Sequence, residues 1–511
     1  MNIKRLGRAL PALWLLTMAA PLAAVLTVRG GRTHEPVSLD PARAWDDTSS
    51  FYIANIYDTL VRLDPRTLGI EPSLATRWET GDGGRSWTFH LRRNVRFHDG
   101  TPFDADAVMF SFQRQMDPAN SRRKEEFPLF YEIFNFLKEV RKLDAFQVRF
   151  ILSEPFFPFL PSLTADCAAI VSPAAVKRSG AAFSRRPVGT GPFKLRSWQK
   201  DKRLVLEANS DYWRGRPGIG EYVDLIEPQA ELLGKHFEEG RIDMLSTYSI
   251  SRMASYRKQD WVRISAEPLF SVTYVVLNAA RPQLRSLNLR RALCHAWDPR
   301  ALKLVYQDHV LPIHSMLPPG LAGDGGAEPP LGFSLDRARE LLKKEGWKPE
   351  SQLEMLVRRE EGLFFQVLSM YARNLKQVGM QLKLTRLEPD EYLRRVANGD
   401  YDLAYSSWIA DFPDPDSMLY PLLSEKLQLQ GFATAAGSGR QDLRRRLIGA
   451  RRESDAQKRL AAYREIDRAF VGDGLILPIY QAKSVILFNR NIGSIQPNSL
   501  GKLLLFDLQA P

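Results

Sequence analysis

Leu353-Glu354-Met355-Leu356-Val357, Met380-Gln381-Leu382-Lys383-Leu384-Thr385 and Asp402-Leu403-Ala404-Tyr405-Ser406 are short apolar-rich runs separated by two amphipathic stretches. The first spacer, Phe364 to Gln377, reads as a helix, and the second, Pro389 to Ala397, as a shorter one. Strands alternating with helices predict an α/β domain with a largely parallel sheet, because parallel neighbours need a crossover that covers one face. Upstream, Ser334 can cap a helix that buries Ala338, Leu341 and Leu342 and stops at Gly346. Downstream, Ser454-x-x-Gln457 resembles a capping box, ahead of a stripe formed by Leu460, Tyr463, Ile466 and Phe470.

The first third of the chain has another style. Trp87, Phe89 and Leu91 alternate with polar residues, the period-two pattern of a half-buried strand, and Val95 and Phe97 continue it to an Asp99-Gly100 turn. Ala105 to Arg114 reads as a helix and Gln147 to Leu152 as a further strand. At 511 residues the chain exceeds a single hydrophobic core, which stops growing at roughly 250–300 residues. Two sheet-based units of different style predict two lobes, and ligands bind preferentially between such lobes.

Composition narrows the class. Hydrophobic content of 44% and charged content of 25% suit a water-soluble globular chain and exclude a disordered one. The net charge of +12 is carried by scattered pairs and one triplet, Arg185-Arg186, Arg290-Arg291, Arg394-Arg395 and Arg444-Arg445-Arg446. They sit mostly beside acidic residues, so a dispersed basic surface is expected rather than a nucleic-acid interface. Lys4, Arg5 and Arg8 precede an apolar run from Leu10 to Ala24, the build of a secretory signal peptide. No cysteine near its end could take a lipid, and Leu22 departs from a small-residue cleavage site. Cys167 and Cys294, the only cysteines, sit in apolar surroundings and read as two separate buried thiols.

No catalytic constellation emerges. H-E-x-x-H, G-x-S-x-G and Walker patterns are missing from the sequence, and the seven histidines lack ligand spacing. Gly189-Thr190-Gly191 looks like part of a phosphate loop, but Pro192 removes a donor, so a tight turn entering a strand is expected.

Pro187-Val188-Gly189-Thr190-Gly191-Pro192-Phe193, with Glu207-Ala208-Asn209-Ser210-Asp211-Tyr212-Trp213-Arg214-Gly215, closely resembles a signature of the family 5 extracellular solute-binding proteins. These are dipeptide-, oligopeptide- and nickel-binding components of bacterial ABC importers. Val37 to Pro41, Ile56 to Val61, Val95 to Gly100 with Pro102 to Asp106, Gly240 to Asp243, Asn278, and Leu289 to Leu293 with Asp298 follow in the family's order. The resemblance implies a two-lobed periplasmic-binding-protein fold of type II in its large three-domain form, α/β with mixed sheets. Residues 1–24 would be the signal peptide. Residues 25–51, 187–275 and 481–511 would form a discontinuous lobe I, 52–186 an inserted strand-rich domain, and 276–480 an α/β lobe II. It further implies a periplasmic, monomeric protein that captures a peptide-like ligand and hands it to a membrane permease. No catalytic residue, metal, cofactor or nucleic acid is implied.

The same resemblance selects a site. Trp408-Ile409-Ala410-Asp411-Phe412-Pro413-Asp414-Pro415-Asp416 follows the strand Asp402 to Ser406, at a carboxyl end where open α/β sheets place ligands. In peptide-binding members the residue matching Asp411 pairs with the ligand's α-amino group; an Asp that merely shapes a proline-rich turn is the competing reading. Trp408 offers a cleft wall or ordinary core packing, and Ala410 lies between them. Arg358 and Arg359 stand where dipeptide binders carry a carboxylate-binding arginine, while solvated surface arginines fit equally well and Glu360 and Glu361 follow directly. Non-peptide solutes (metal chelates, haem, sugars, antimicrobial peptides) remain alternatives within the family. A regulator reusing the clamp would need a DNA-binding segment, and a secreted peptidase an activated nucleophile or a metal.

Overall fold

Four sheets organise the described residues of this computed structural model, which run from 26 to 508 without 65–66, 68, 117–127, 247–249, 322–329, 349–350, 360 and 424–440. The signal segment expected at 1–24 and Glu360 lie outside them. The three strands of the α/β stretch are present, each slightly longer than read: Gln352–Arg358, Gln381–Leu387 and Leu403–Ile409. They are mutually parallel, with Gln352–Arg358 in the middle. The helices Gly362–Gln377 and Pro389–Ala397 cover them with Phe364, Val367, Leu368, Tyr371, Tyr392 and Val396, all buried in one core.

Beyond these three strands the sheet departs from the expected parallel arrangement. Ser271–Leu277 joins Leu403–Ile409 antiparallel, and Ile476–Asn489 joins Ser271–Leu277 antiparallel. Ser271–Leu277 follows Val262–Pro268 after two residues, with no crossover helix, so nothing reverses its direction to match the parallel set. Every one of its residues is buried.

The 14-residue strand Ile476–Asn489 belongs to both lobes. Its first part pairs with Ser271–Leu277, and its later part pairs with Val262–Pro268 and Met244–Leu245. The N-terminal lobe is completed by a sheet in the order Thr27–Arg32, Glu221–Ile226, Arg203–Ala208, Phe193–Gln199. Its core mixes Val28, Leu204, Leu206 and Tyr222 with Leu503, Leu505 and Leu508 from near the C-terminus.

A third, antiparallel sheet contains Ala75–Gly81, Ser86–Leu91, Gln147–Leu152 and Leu137–Asp144. Its core is rich in phenylalanine; the Phe112 and Phe150 rings meet edge to face at 4.9 Å, and Phe89 and Phe150 at 5.5 Å. Val95 and Phe97 leave the sheet instead of extending it. The Phe97 N–H donates to Thr101 O and the Phe103 N–H to Val95 O, which folds this segment around the Asp99-Gly100 turn.

The Gly189-Thr190-Gly191 turn does enter a strand, Phe193–Gln199. It presses against the end of the helix Asp47–Ile56: a Cβ on Gly189 would lie 2.1 Å from Ile56 O, and one on Gly191 2.5 Å from Ile56 C. Thr190 and Trp213 donate to one oxygen of Asp58 and Tyr212 to the other, so the turn and the Tyr212-Trp213 pair share one carboxylate.

Two local expectations change, and two others hold. The helix Ala456–Gly472 is capped by Asp455, whose carboxylate accepts from the Gln457 and Lys458 N–H groups, rather than by Ser454. Arg290 is buried, not on the surface; it donates to the carbonyls of Leu284, Arg285 and Asp473 and so ties up loose helix and turn ends. Ser334 caps its helix by accepting from Arg337 N–H, and Gly346 closes it at φ 65° in the left-handed region. Cys167 and Cys294 are both free and buried, in different cores. Among the described residues no helix is long and apolar enough to cross a membrane.

Candidate functional site

Strand Leu403–Ile409 runs far enough to include Trp408, and the chain then turns sharply into the helix Asp416–Leu423. Ser417 pins this turn at two points. Its carbonyl accepts from Trp408 Nε1 at 2.9 Å, and its Oγ accepts from the Asp411 N–H at 2.8 Å. Ala410, buried, donates its N–H to Phe270 O at 2.8 Å, which fixes the turn to the neighbouring strand connection. Trp408 is part-buried against the second-lobe core.

The acidic residues of the turn divide by partner. Asp414 accepts from Asp416 N–H and from Arg459 at 2.6 Å; Asp416 accepts from Tyr463 at 2.9 Å and lies 3.1 Å from Arg451. Both are buried and consumed by structure. Asp411 is different: apart from its own backbone N–H, no hydrogen bond or ion pair holds its carboxyl among the described residues. Burial, and next the negative charge of Asp166, push it up to about 7, with Lys502 opposing and Asp47 adding a smaller push.

Those neighbours are close to the turn in space but come from distant parts of the chain. Asp166 and Lys502 form an ion pair of 2.6 Å, both largely shielded. Asp47 heads the helix Asp47–Ile56, and its carboxyl is raised by burial, then by Asp46 and Asp166, with Arg32 opposing. A cavity of about 100 Å³ reaches Asp166 and Lys502 and is also lined by Asp58, Arg62, Tyr212 and Arg214. The arrangement places a part-buried carboxyl, which no other side chain pairs with, near other acids; a cationic group is what such a place stabilises.

Phe412, next to Asp411, is a residue the sequence reading passed over. It is buried in the phenylalanine-rich core of the strand-rich domain. Arg451 marks the same junction: it stacks on Tyr420 at 3.7 Å and Phe156 at 4.5 Å, while its carbonyl accepts from Phe157 N–H. An aromatic directly following the candidate Asp was the one available signal.

The two arginines part company. Arg358 is part-buried; its Nε donates to Tyr405 Oη at 2.8 Å and its Nη2 lies 3.0 Å from Glu361. Arg359 faces outward, 2.7 Å from Glu388, with both side chains well exposed. The turn thus gathers Trp408, Ala410 and Asp411, whereas Arg358 stands at the end of the adjoining strand and Arg359 points away on the surface.

A sequence profile described as bacterial extracellular solute-binding proteins, family 5 middle, matches residues 69–428. The chain is 28% identical over 398 residues to the dipeptide-binding protein of Escherichia coli (strain K12), covering 74% of each. It is also 28% identical over 412 residues to heme-binding protein A of Haemophilus influenzae, covering 76% of this chain and 75% of that one. A solved structure, the dipeptide binding protein from Pseudoalteromonas sp. SM9913 in complex with Met-Leu, superposes with a TM-score of 0.82 at 24% identity, over 95% of this chain and all of that one. The fold is therefore the two-lobed, type II periplasmic-binding-protein fold.

Proposed function

The chain belongs to the bacterial extracellular solute-binding proteins of family 5, and from that membership we propose that it captures a peptide-like ligand bearing a free amino group. It does so between closing lobes, in the periplasm, and hands the ligand to the permease of an ABC importer. It acts as a monomer, without turnover and without a nucleic-acid partner. Residues 1–24 direct its export.

Asp411 carries this reading. An ammonium placed there donates charge-assisted hydrogen bonds to a part-buried carboxyl that no other side chain pairs with. Trp408 and Ala410 hold the turn that presents it. Closure pivots where the chain passes between lobes, at residues 268–271 and within Ile476–Asn489, so recognition and lobe movement are coupled through one sheet.

Calorimetric titration of the mature protein with di- and tripeptides, their N-acetylated forms and haemin tests the proposal. Free-amine peptides are expected to bind, N-acetylation to abolish binding, and Asp411→Asn to weaken it by about 100-fold or more, the scale of a broken charge-assisted pair. Haemin binding without peptide binding, or full affinity in Asp411→Asn, refutes it. The haemin arm is needed because the haem- and dipeptide-binding relatives are equally identical to this chain.

A further inference from the structure

The strand-rich domain and the second lobe are each continuous with the first lobe, but not with each other. The chain enters the strand-rich domain from the helix Asp47–Ile56 and leaves it into the strand Phe193–Gln199; Phe51 and Phe193 both belong to the first-lobe core. The second lobe is entered at residues 268–271 and left through Ile476–Asn489. A contact between the two therefore closes a ring. Rotation of the second lobe about its own crossings has to break that contact.

Such a contact is present, and it begins beside Asp411. Among the described residues, the buried members of the phenylalanine-rich core run from Ala42 to Ile170, and Phe412 alone joins them from the second lobe. A cavity of about 10 Å³ along the same junction is lined by Asp411, Phe412, Tyr420 and Arg451, with Ile133 on the strand-rich side. The buried Arg451 guanidinium lies between rings of both bodies: Tyr420 on its own lobe, and Phe156 at 4.5 Å and Phe136 at 5.6 Å opposite. Phe157 N–H donates to Arg451 O at 3.0 Å, and Asn135 Nδ2 to Tyr420 Oη at 3.3 Å. At the rim Arg452 pairs with Glu154, and the two side chains keep 49% and 33% of their surface open.

The make-up of this junction suits repeated parting. One phenylalanine, ring faces around a cation and a few hydrogen bonds form a partly polar interface, the kind across which domains move. When it opens, Arg451 retains Asp416 and Tyr420, which belong to its own lobe, so no buried charge loses its partner.

We propose that residues 154–157 of the strand-rich domain and Phe412, Arg451 and Arg452 of the second lobe form a clasp that parts when the lobes open and, once closed, slows release of the ligand. The inserted domain is then a working jaw of the clamp. The inference rests on the closing-lobe part of the proposed function and not on the identity of the ligand.

Amide hydrogen exchange on the full mature protein, with the phenylalanine nitrogens isotope-labelled, tests it. Phe157 reports the junction, and Phe150, inside the strand-rich sheet, reports unfolding of that domain. Without ligand, Phe157 is expected to exchange about tenfold or more faster than Phe150, because lobe opening frees it without unfolding. Glu154→Arg sets two like charges at the rim and should speed Phe157 by about a further fivefold while leaving Phe150 unchanged. The charge-swapped Glu154→Arg/Arg452→Glu should return to within about twofold of the wild type. A free-amine dipeptide should slow Phe157 in the wild type and leave Glu154→Arg about fivefold faster in stopped flow.

Equal exchange at Phe157 and Phe150 in the wild type overturns the inference, since the junction would then never part. An unmoved Phe157 in Glu154→Arg, a charge swap that restores nothing, or a bound dipeptide that leaves Phe157 unprotected overturns it too. Arg452→Gln replaces the charge reversal should that variant not fold. If no dipeptide binds the wild type, the peptide reading fails, and the ligand-free exchange still decides the clasp.

Discussion

Asp411 and Asp416 lie on the same turn, and burial raises both carboxyls, to about 7 and about 6. Their partners make the difference: Asp416 has Arg451 and Tyr463, while Asp411 faces Asp166. Binding an ammonium requires Asp411 ionised, so ligand binding near neutral pH should release a proton from it. Affinity for a free-amine dipeptide should therefore fall as pH drops through about 7 towards 5.5. It should fall again above about pH 8, where an α-amine (ordinary pKa roughly 7.7–8.0) loses its charge. Calorimetry in buffers of different ionisation enthalpy reads the proton count; a flat acid limb would show that Asp411 does not hold the amine. At this scale the sequence disclosed which Asp followed a strand end. It could not disclose the unpaired state, because the partners of Asp414 and Asp416, namely Arg459, Arg451 and Tyr463, are 35 or more residues distant and belong to no motif.

Among elements, the Gly189–Gly191 turn shows what a signature preserves. The two glycines let one backbone lie against another, with Ile56 O where a Cβ would stand. His98 bridges the same turn, its Nδ1 accepting from Gly189 N–H and its Nε2 meeting Gly191 O at 3.0 Å. Burial pushes this histidine down to about 4, so it stays neutral and keeps both roles. Gly189→Ala is expected to destabilise the protein by about 2–3 kcal/mol, since the atoms it meets are main chain and cannot swing aside. Urea or thermal denaturation measures it, and an unchanged midpoint would mean that the turn relaxes freely. The strands Ser86–Leu91 and Gln147–Leu152 and those of the α/β stretch were legible from periodicity, to within a few residues. Their pairing was not: an apolar run such as Ser271–Leu277 looks the same whether its neighbour is parallel or antiparallel. The Asp455 cap was missed because a capping-box pattern began one residue earlier.

For the molecule as a whole, the lobes are joined at residues 268–271 and through Ile476–Asn489, with Phe412 bridging to the strand-rich domain. Saturating peptide is expected to raise the thermal midpoint, about 2.7 kcal/mol of added stability at a hundredfold excess over Kd. It should also reduce the radius of gyration in small-angle scattering, and Asp411→Asn should show both changes much diminished at the same peptide concentration. A midpoint shift without compaction would separate binding from closure. Two lobes were readable from the change of style along the chain and from the family signature. The strand common to both was not, because it reads simply as one long apolar segment near the C-terminus. That strand has a genetic consequence. A crossover between two such genes near codon 481 would splice the first half of one parent's strand to the second half of the other's, and each half must fit a sheet built by its own parent. Productive exchanges should therefore carry the strand and both of its bordering sheets together, so the lobes are inherited as one unit even though they move as two.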